Sequence, residues 1–155
     1  MKPMIFLRIA SVLTFVHSVL HTIGGVFGKP VNSVAAAVAA DMRTPFPAFG
    51  LTRSYSDFYM GMGLGVTIFL TMDSILLWIF ASIATGDSAR LRPLIAVYAL
   101  GYLAFAFNSY LFFFLFPIIV ELLIVACLVA AIVTAKPPDS AESNKDTGRL
   151  KTAQS

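Results

Sequence analysis

Charge is scarce in this chain. Of its 155 residues only 12% are Asp, Glu, Lys or Arg, about half the 25% of an ordinary soluble domain. There is one cysteine, Cys127, which excludes a disulfide scaffold. The shortage of polar residues excludes a disordered chain, which cannot carry so much apolar surface. It also excludes a soluble single domain, because a core this small cannot hide so many apolar side chains. No run alternates polar with apolar residues, so the strands of a membrane barrel are excluded as well. The pI near 9.2 does not point to nucleic acid, since no basic stripe is interleaved with aromatics.

What the chain has in abundance is apolar length: 58% of residues are hydrophobic and 14 are Phe. A membrane-spanning helix needs about 20 mostly apolar residues. Four segments qualify, at 4–26, 58–83, 91–107 and 111–135. The first is too long for a cleaved signal peptide and has no small-residue cleavage site close behind it. The expected fold is all-α: a four-helix transmembrane bundle over 1–135 with a long outer-face loop, followed by a disordered cytoplasmic tail over 136–155. The tail opens on Pro137-Pro138 and has almost no apolar residues to offset its ordering entropy. In the loop, Val31, Val34, Ala35, Val38 and Met42 recur at helical spacing. They predict a short amphipathic helix on the membrane face, stopped by Pro45 and Pro47. Basic residues set the orientation. Lys2, Arg8, Arg90, Arg92, Lys136, Lys145, Arg149 and Lys151 share one side, against Lys29, Arg43 and Arg53 on the other. Both ends are therefore expected in the cytoplasm.

Ionisable groups within lipid are costly and usually face the bundle interior or a cavity. Here they are Arg8, His17, His21, Asp57, Asp73 and Glu121, with Arg53 and Asn108 at the outer rim. His17 and His21 are four apart and share one helix face. Arg53 and Asp57 have the same spacing and would pair if both were helical. Depth counted along the spans puts His17, His21, Glu121, Asp57, Arg53 and Asn108 in the outer half, where they predict one polar pocket. Asp73 and Arg8 fall in the inner half and read as a structural pair or as snorkelling charge. The two histidines with a carboxylate fit three uses: ligand binding, proton transfer or metal ligation. A shared face cannot supply the opposed axial ligands of a haem, and no cofactor is implied. Gly61 and Gly65 form a small-xxx-small face that lets another helix approach, in this chain or in a second copy.

Three stretches carry a resemblance. They are Arg8-Ile9-Ala10-Ser11; His17 through His21-Thr22-Ile23-Gly24; and Gly50-Leu51-Thr52-Arg53-Ser54-Tyr55-Ser56-Asp57-Phe58-Tyr59-Met60-Gly61-Met62-Gly63-Leu64. Together they resemble a group of small bacterial inner-membrane proteins of four spans. The resemblance implies a multi-pass inner-membrane location and supplies no activity. Vitamin K epoxide reductase-like proteins need a cysteine pair that is absent here. Three classes of function follow for the expected pocket: binding of a small amphiphilic or lipid-like ligand, an enzyme using His17 or His21 with Glu121 for proton transfer, or an oligomeric transporter or accessory subunit. The expected partners are membrane lipids, the ligand and a second copy through Gly61 and Gly65, with no nucleic acid.

Overall fold

The computed structural model describes residues 3–85 and 88–135. The expected tail, 136–155, lies outside them. Helix α1 (Pro3–Leu20) continues as a π-helical turn, His21–Val26. A surface helix α2 (Ser33–Asp41) and a hairpin of β1 (Phe46–Ala48) with β2 (Leu51–Arg53) follow. Then come three long helices, α3 (Tyr55–Ile83), α4 (Arg92–Phe112) and α5 (Leu115–Thr134). Among the described residues, four segments are long and apolar enough to cross a membrane: Pro3–Val26, Tyr55–Ile83, Ser88–Phe112 and Leu115–Thr134. An even number of crossings puts Pro3 and Ala135 on one side, called here the terminal side. The hairpin and α2 lie on the other, the loop side. The protein is an all-α membrane bundle of four spans, as its composition requires.

Local chemistry sets the element ends. Ser54 and Asp57 form a capping box at the start of α3: the Ser54 hydroxyl accepts from the Asp57 amide, and the Ser54 amide donates to the Asp57 carboxylate. The span therefore begins three residues before the apolar run does. Asn32 caps α2 by accepting from the Ala35 amide. None of the residues of α2 is buried in the bundle. The hairpin was not anticipated. Its two-residue loop, Phe49-Gly50, has positive φ at both positions, 49° and 80°, the pattern of a type I′ turn. Its strands are three residues each, with Phe46 opposite Arg53, and Phe46 stacks on Phe58 and meets Tyr55 at a tilt at the base of α3. Residues 108–110, expected as the outer turn, belong to α4; the turn falls at Phe113-Phe114.

Helix α1 is central. It packs along α3 on one flank and α5 on the other, and α5 packs along α4. Around the bundle the order is α3, α1, α5, α4, with no extensive contact closing α4 onto α3. The core holds Leu7 and Ala10 of α1, Leu70 and Leu77 of α3, Ile95 and Tyr102 of α4, and Ile124 and Leu128 of α5. Along α1 and α3 a seam of small and hydroxylic residues brings the helices together. Ser11 donates to the Ser74 carbonyl at 2.7 Å while Ser74 donates to the Ser11 carbonyl at 3.0 Å. Ser18 meets Thr71 at 2.9 Å, and Thr22 meets Thr67 at 2.9 Å. Near the loop side a Cβ on Gly63 would stand 2.9 Å from a methyl of Val26. Only glycine permits that approach.

Candidate functional site

Of the six residues expected to build one pocket, Arg53, Asp57 and Asn108 stand outside the bundle interior. Their positions in the fold explain why. Arg53 lies on β2 rather than on a helix, so the i, i+4 stacking assumed for Arg53 and Asp57 does not apply. Both are exposed. The Arg53 guanidinium donates to the Thr52 carbonyl, and the Asp57 carboxylate is taken by Ser54. Their work is local: Asp57 caps a helix. Asn108 is exposed as well; the residue that turns inward is its neighbour Ser109, which donates to Glu121 Oε1 at 2.9 Å. His21 Nε2 sits 3.1 Å from the Gly63 carbonyl. That contact, the Thr22 hydroxyl on the Ser18 carbonyl and the Phe27 amide on the Thr22 carbonyl belong to the π-helical turn.

His17 and Glu121 are buried, 6% and 1% exposed, on the neighbouring helices α1 and α5. No hydrogen bond joins Glu121 to either imidazole. Instead His17 Nδ1 and Glu121 Oε2 are each buried without a hydrogen-bond partner. The His17 ring lies against Phe105, centroids 6.5 Å apart. Among the described residues, no three His, Cys, Asp or Glu side chains come together in a way that could hold a metal ion.

A well-formed cavity lies elsewhere, in the gap between α3 and α4. It holds about 430 Å³ and is walled by Val66, Phe69, Leu70 and Asp73 from α3. From α4 it takes Val97, Tyr98, Gly101, Tyr102 and Phe105. Leu70 and Tyr102 are buried at its back, while Phe69 and Val97 are exposed at its mouth. The mouth therefore opens sideways, at the depth of the lipid. Phe80 and Tyr98 meet edge to face, centroids 5.7 Å apart, and close the cleft toward the terminal side. Phe105, with His17 behind it, stands toward the loop side.

One carboxylate lies in this cleft. Asp73 is ten residues from the end of α3 at Ile83, about 15 Å at 1.5 Å per residue. It is eighteen residues from the helix start at Tyr55, so it sits in the terminal-side half of a span long enough to cross a hydrocarbon core about 30 Å thick. Arg8, its expected partner, is exposed and lies over the ring of Trp78, 5.2 Å from the centroid. The groups that do reach Asp73 are phenols. Tyr102 Oη is 3.4 Å from Asp73 Oδ2 and 3.3 Å from Thr14 Oγ1, and Tyr98 interacts with the same carboxylate. A phenol has one proton, so both Tyr102 contacts form together in two ways: Thr14 donates to Tyr102 and Tyr102 to an ionised Asp73, or a protonated Asp73 donates to Tyr102 and Tyr102 to Thr14. Sequence reasoning placed Asp73 among the structural charges and passed over both tyrosines. The available signal was Tyr98 and Tyr102 four apart around Gly101 in an otherwise apolar span. It points to a polar face that α5 does not need.

Comparison with known proteins adds no identity. No family model matches the chain, and no curated protein or solved structure matches it.

Proposed function

We propose that this membrane protein binds a small amphiphilic or lipid-like ligand, which enters from the bilayer through the mouth between α3 and α4. The observation that carries the reading is a cavity of about 430 Å³ between two membrane-spanning helices, with exposed lips and one carboxylate inside. Ligand sites are typically concave, mostly apolar and furnished with few polar groups, and intramembrane carboxylates usually mark such sites. The site differs from the one expected at the loop side: Asp73, Tyr98 and Tyr102 replace His17, His21 and Glu121 as its polar groups.

Photolabelling tests this. An alkyl-diazirine fatty alcohol added to the protein in nanodiscs should label 66–73 and 97–105 above other lipid-facing segments. Gly101→Phe should suppress that labelling, because a Cβ at Gly101 has no neighbour within 4 Å and the ring would occupy the cleft. Labelling spread evenly over all four spans would overturn the reading. The basic-residue bias, eight against three, supports both ends being cytoplasmic. Reporter fusions at Lys29 and Ser155 should then give opposite signals.

A further inference from the structure

We infer that the α3/α4 cleft selects an amphiphile with a cationic, amine-type head, held by Asp73 and the surrounding aromatic rings. The inference rests on the cleft being a ligand site and names the chemistry that site takes.

The first argument is the unanswered charge. None of the nine residues lining the cleft is Lys, Arg or His. Arg8 is committed to Trp78 and does not pair with Asp73. An ionised carboxylate has about four lone-pair sites. Two phenols approach Asp73, and the one hydrogen bond the geometry resolves is long at 3.4 Å. The remaining acceptor capacity has no protein donor, at a depth where water is scarce. An ammonium head supplies the missing charge and up to three donors at once. A carboxylate or phosphate head would meet like charge.

The second argument is independent of the carboxylate. Four of the nine lining residues are aromatic: Phe69, Tyr98, Tyr102 and Phe105. Aromatic faces attract an organic cation through the ring quadrupole, and more strongly in a desolvated site than in water. Tyr102 and Tyr98 therefore serve twice, as donors that orient Asp73 and as walls for the cation. The apolar wall at Val66, Leu70 and Val97 receives the first methylenes of a tail whose remainder stays in the bilayer. A neutral head, such as an alcohol, would use the apolar wall and gain little from the rest.

Three amphiphiles with one tail and different heads separate these cases: dodecylamine, dodecanol and dodecanoate. Each is titrated at neutral pH against the full chain in phosphatidylcholine nanodiscs, with empty discs as the partition control, and bound ligand is counted by native mass spectrometry. The wild type should bind the amine about tenfold more tightly than the alcohol, and the carboxylate least, as expected for a charge met in a low-dielectric cleft. Asp73→Asn should erase that preference, and Asp73→Glu should keep it. If Asp73→Asn does not fold, Gly101→Phe decides the same point: it must remove the preference by blocking the cleft while the carboxylate stays. Equal binding of amine and alcohol, or a preference that survives these variants, would overturn the cationic selection and leave the cleft reading standing. Binding of none of the three above the empty disc would overturn both.

Discussion

Along α3, the flank turned to α1 is closed and the flank turned to α4 is open, although both lie in the same apolar surroundings. On the closed flank the facing residues are small and hydroxylic: Ser11 against Ser74, Ser18 against Thr71, Thr22 against Thr67, and Gly63 under Val26. Lipid tails are as apolar as leucine, so helices gain nothing in a bilayer merely by hiding apolar surface from each other. They close where backbones can come near and polar groups find partners. On the open flank Val66, Phe69 and Leu70 face Val97, Tyr98 and Phe105 across the gap. Long side chains hold the backbones apart, and Tyr102 to Asp73 is a long contact that does not draw them together. The seam therefore explains stability, and the cleft is where a ligand can be accommodated.

The largest expected effect comes from replacing a glycine on each flank. Gly63→Leu puts a branched side chain where even a Cβ would stand 2.9 Å from Val26. Overpacking of this kind costs about 1–3 kcal/mol. Gly101→Ala on the open flank meets nothing within 4 Å and removes the flexibility penalty of glycine in a helix, about 0.5–1 kcal/mol. Thermal unfolding in detergent should thus show a loss for the first and no loss, or a small gain, for the second. Losses of equal size would mean that α4 closes onto α3 after all and that the cleft is not a standing feature of the fold.

A smaller effect is expected at the loop-side end of the helix that both flanks share. Ser54 is 7% exposed, and its hydroxyl holds the first turn of α3 through the Asp57 amide. Ser54→Ala should cost about 1 kcal/mol, the usual loss on removing an N-cap. Asp57→Ala should cost less, because its carboxylate is exposed and works through Ser54. A larger loss for Asp57→Ala would restore the buried ion pair with Arg53 that the spacing suggested and would contradict the geometry of β2.

The four spans were legible because a long apolar run has few other physical uses. The caps, hairpin and cleft depend on finer chemistry. Arg53 and Asp57 have pairing distance only if the chain is helical between them. The Phe49-Gly50 turn puts a phenylalanine at positive φ, a conformation that its side chain gives no reason to expect. Depth could be counted from the sequence, and it placed Asp73 and Arg8 in the same half of the bundle. What depth could not supply was the order of helices around α1. That order puts α5 rather than α4 beside α1 and leaves Asp73 facing Tyr98 and Tyr102 instead of Arg8. Gly63, not the Gly61 and Gly65 pair, makes the close approach within this chain. Gly61 and Gly65 each have nothing within 4 Å of an added Cβ.

The smallest effect is expected at the other buried carboxylate, and it separates the two acids by role. Glu121 is 1% exposed, accepts from Ser109 through Oε1 and leaves Oε2 without a partner. It lines neither the seam nor the cleft. In Glu121→Gln the amide oxygen can take the Ser109 proton, so that hydrogen bond is kept. The amide nitrogen then replaces one unpartnered buried atom with another, and the desolvation cost of about 1–3 kcal/mol for such a group is present before and after the change. Stability in detergent should therefore move by less than about 1 kcal/mol, and binding in the cleft should not move at all. Asp73→Asn should do the reverse, with little change in melting temperature and a changed ligand preference. If Glu121→Gln instead weakened ligand binding while the protein stayed folded, the functional carboxylate would be the one beside Ser109, and the cleft between α3 and α4 would be a gap in packing that lipid fills.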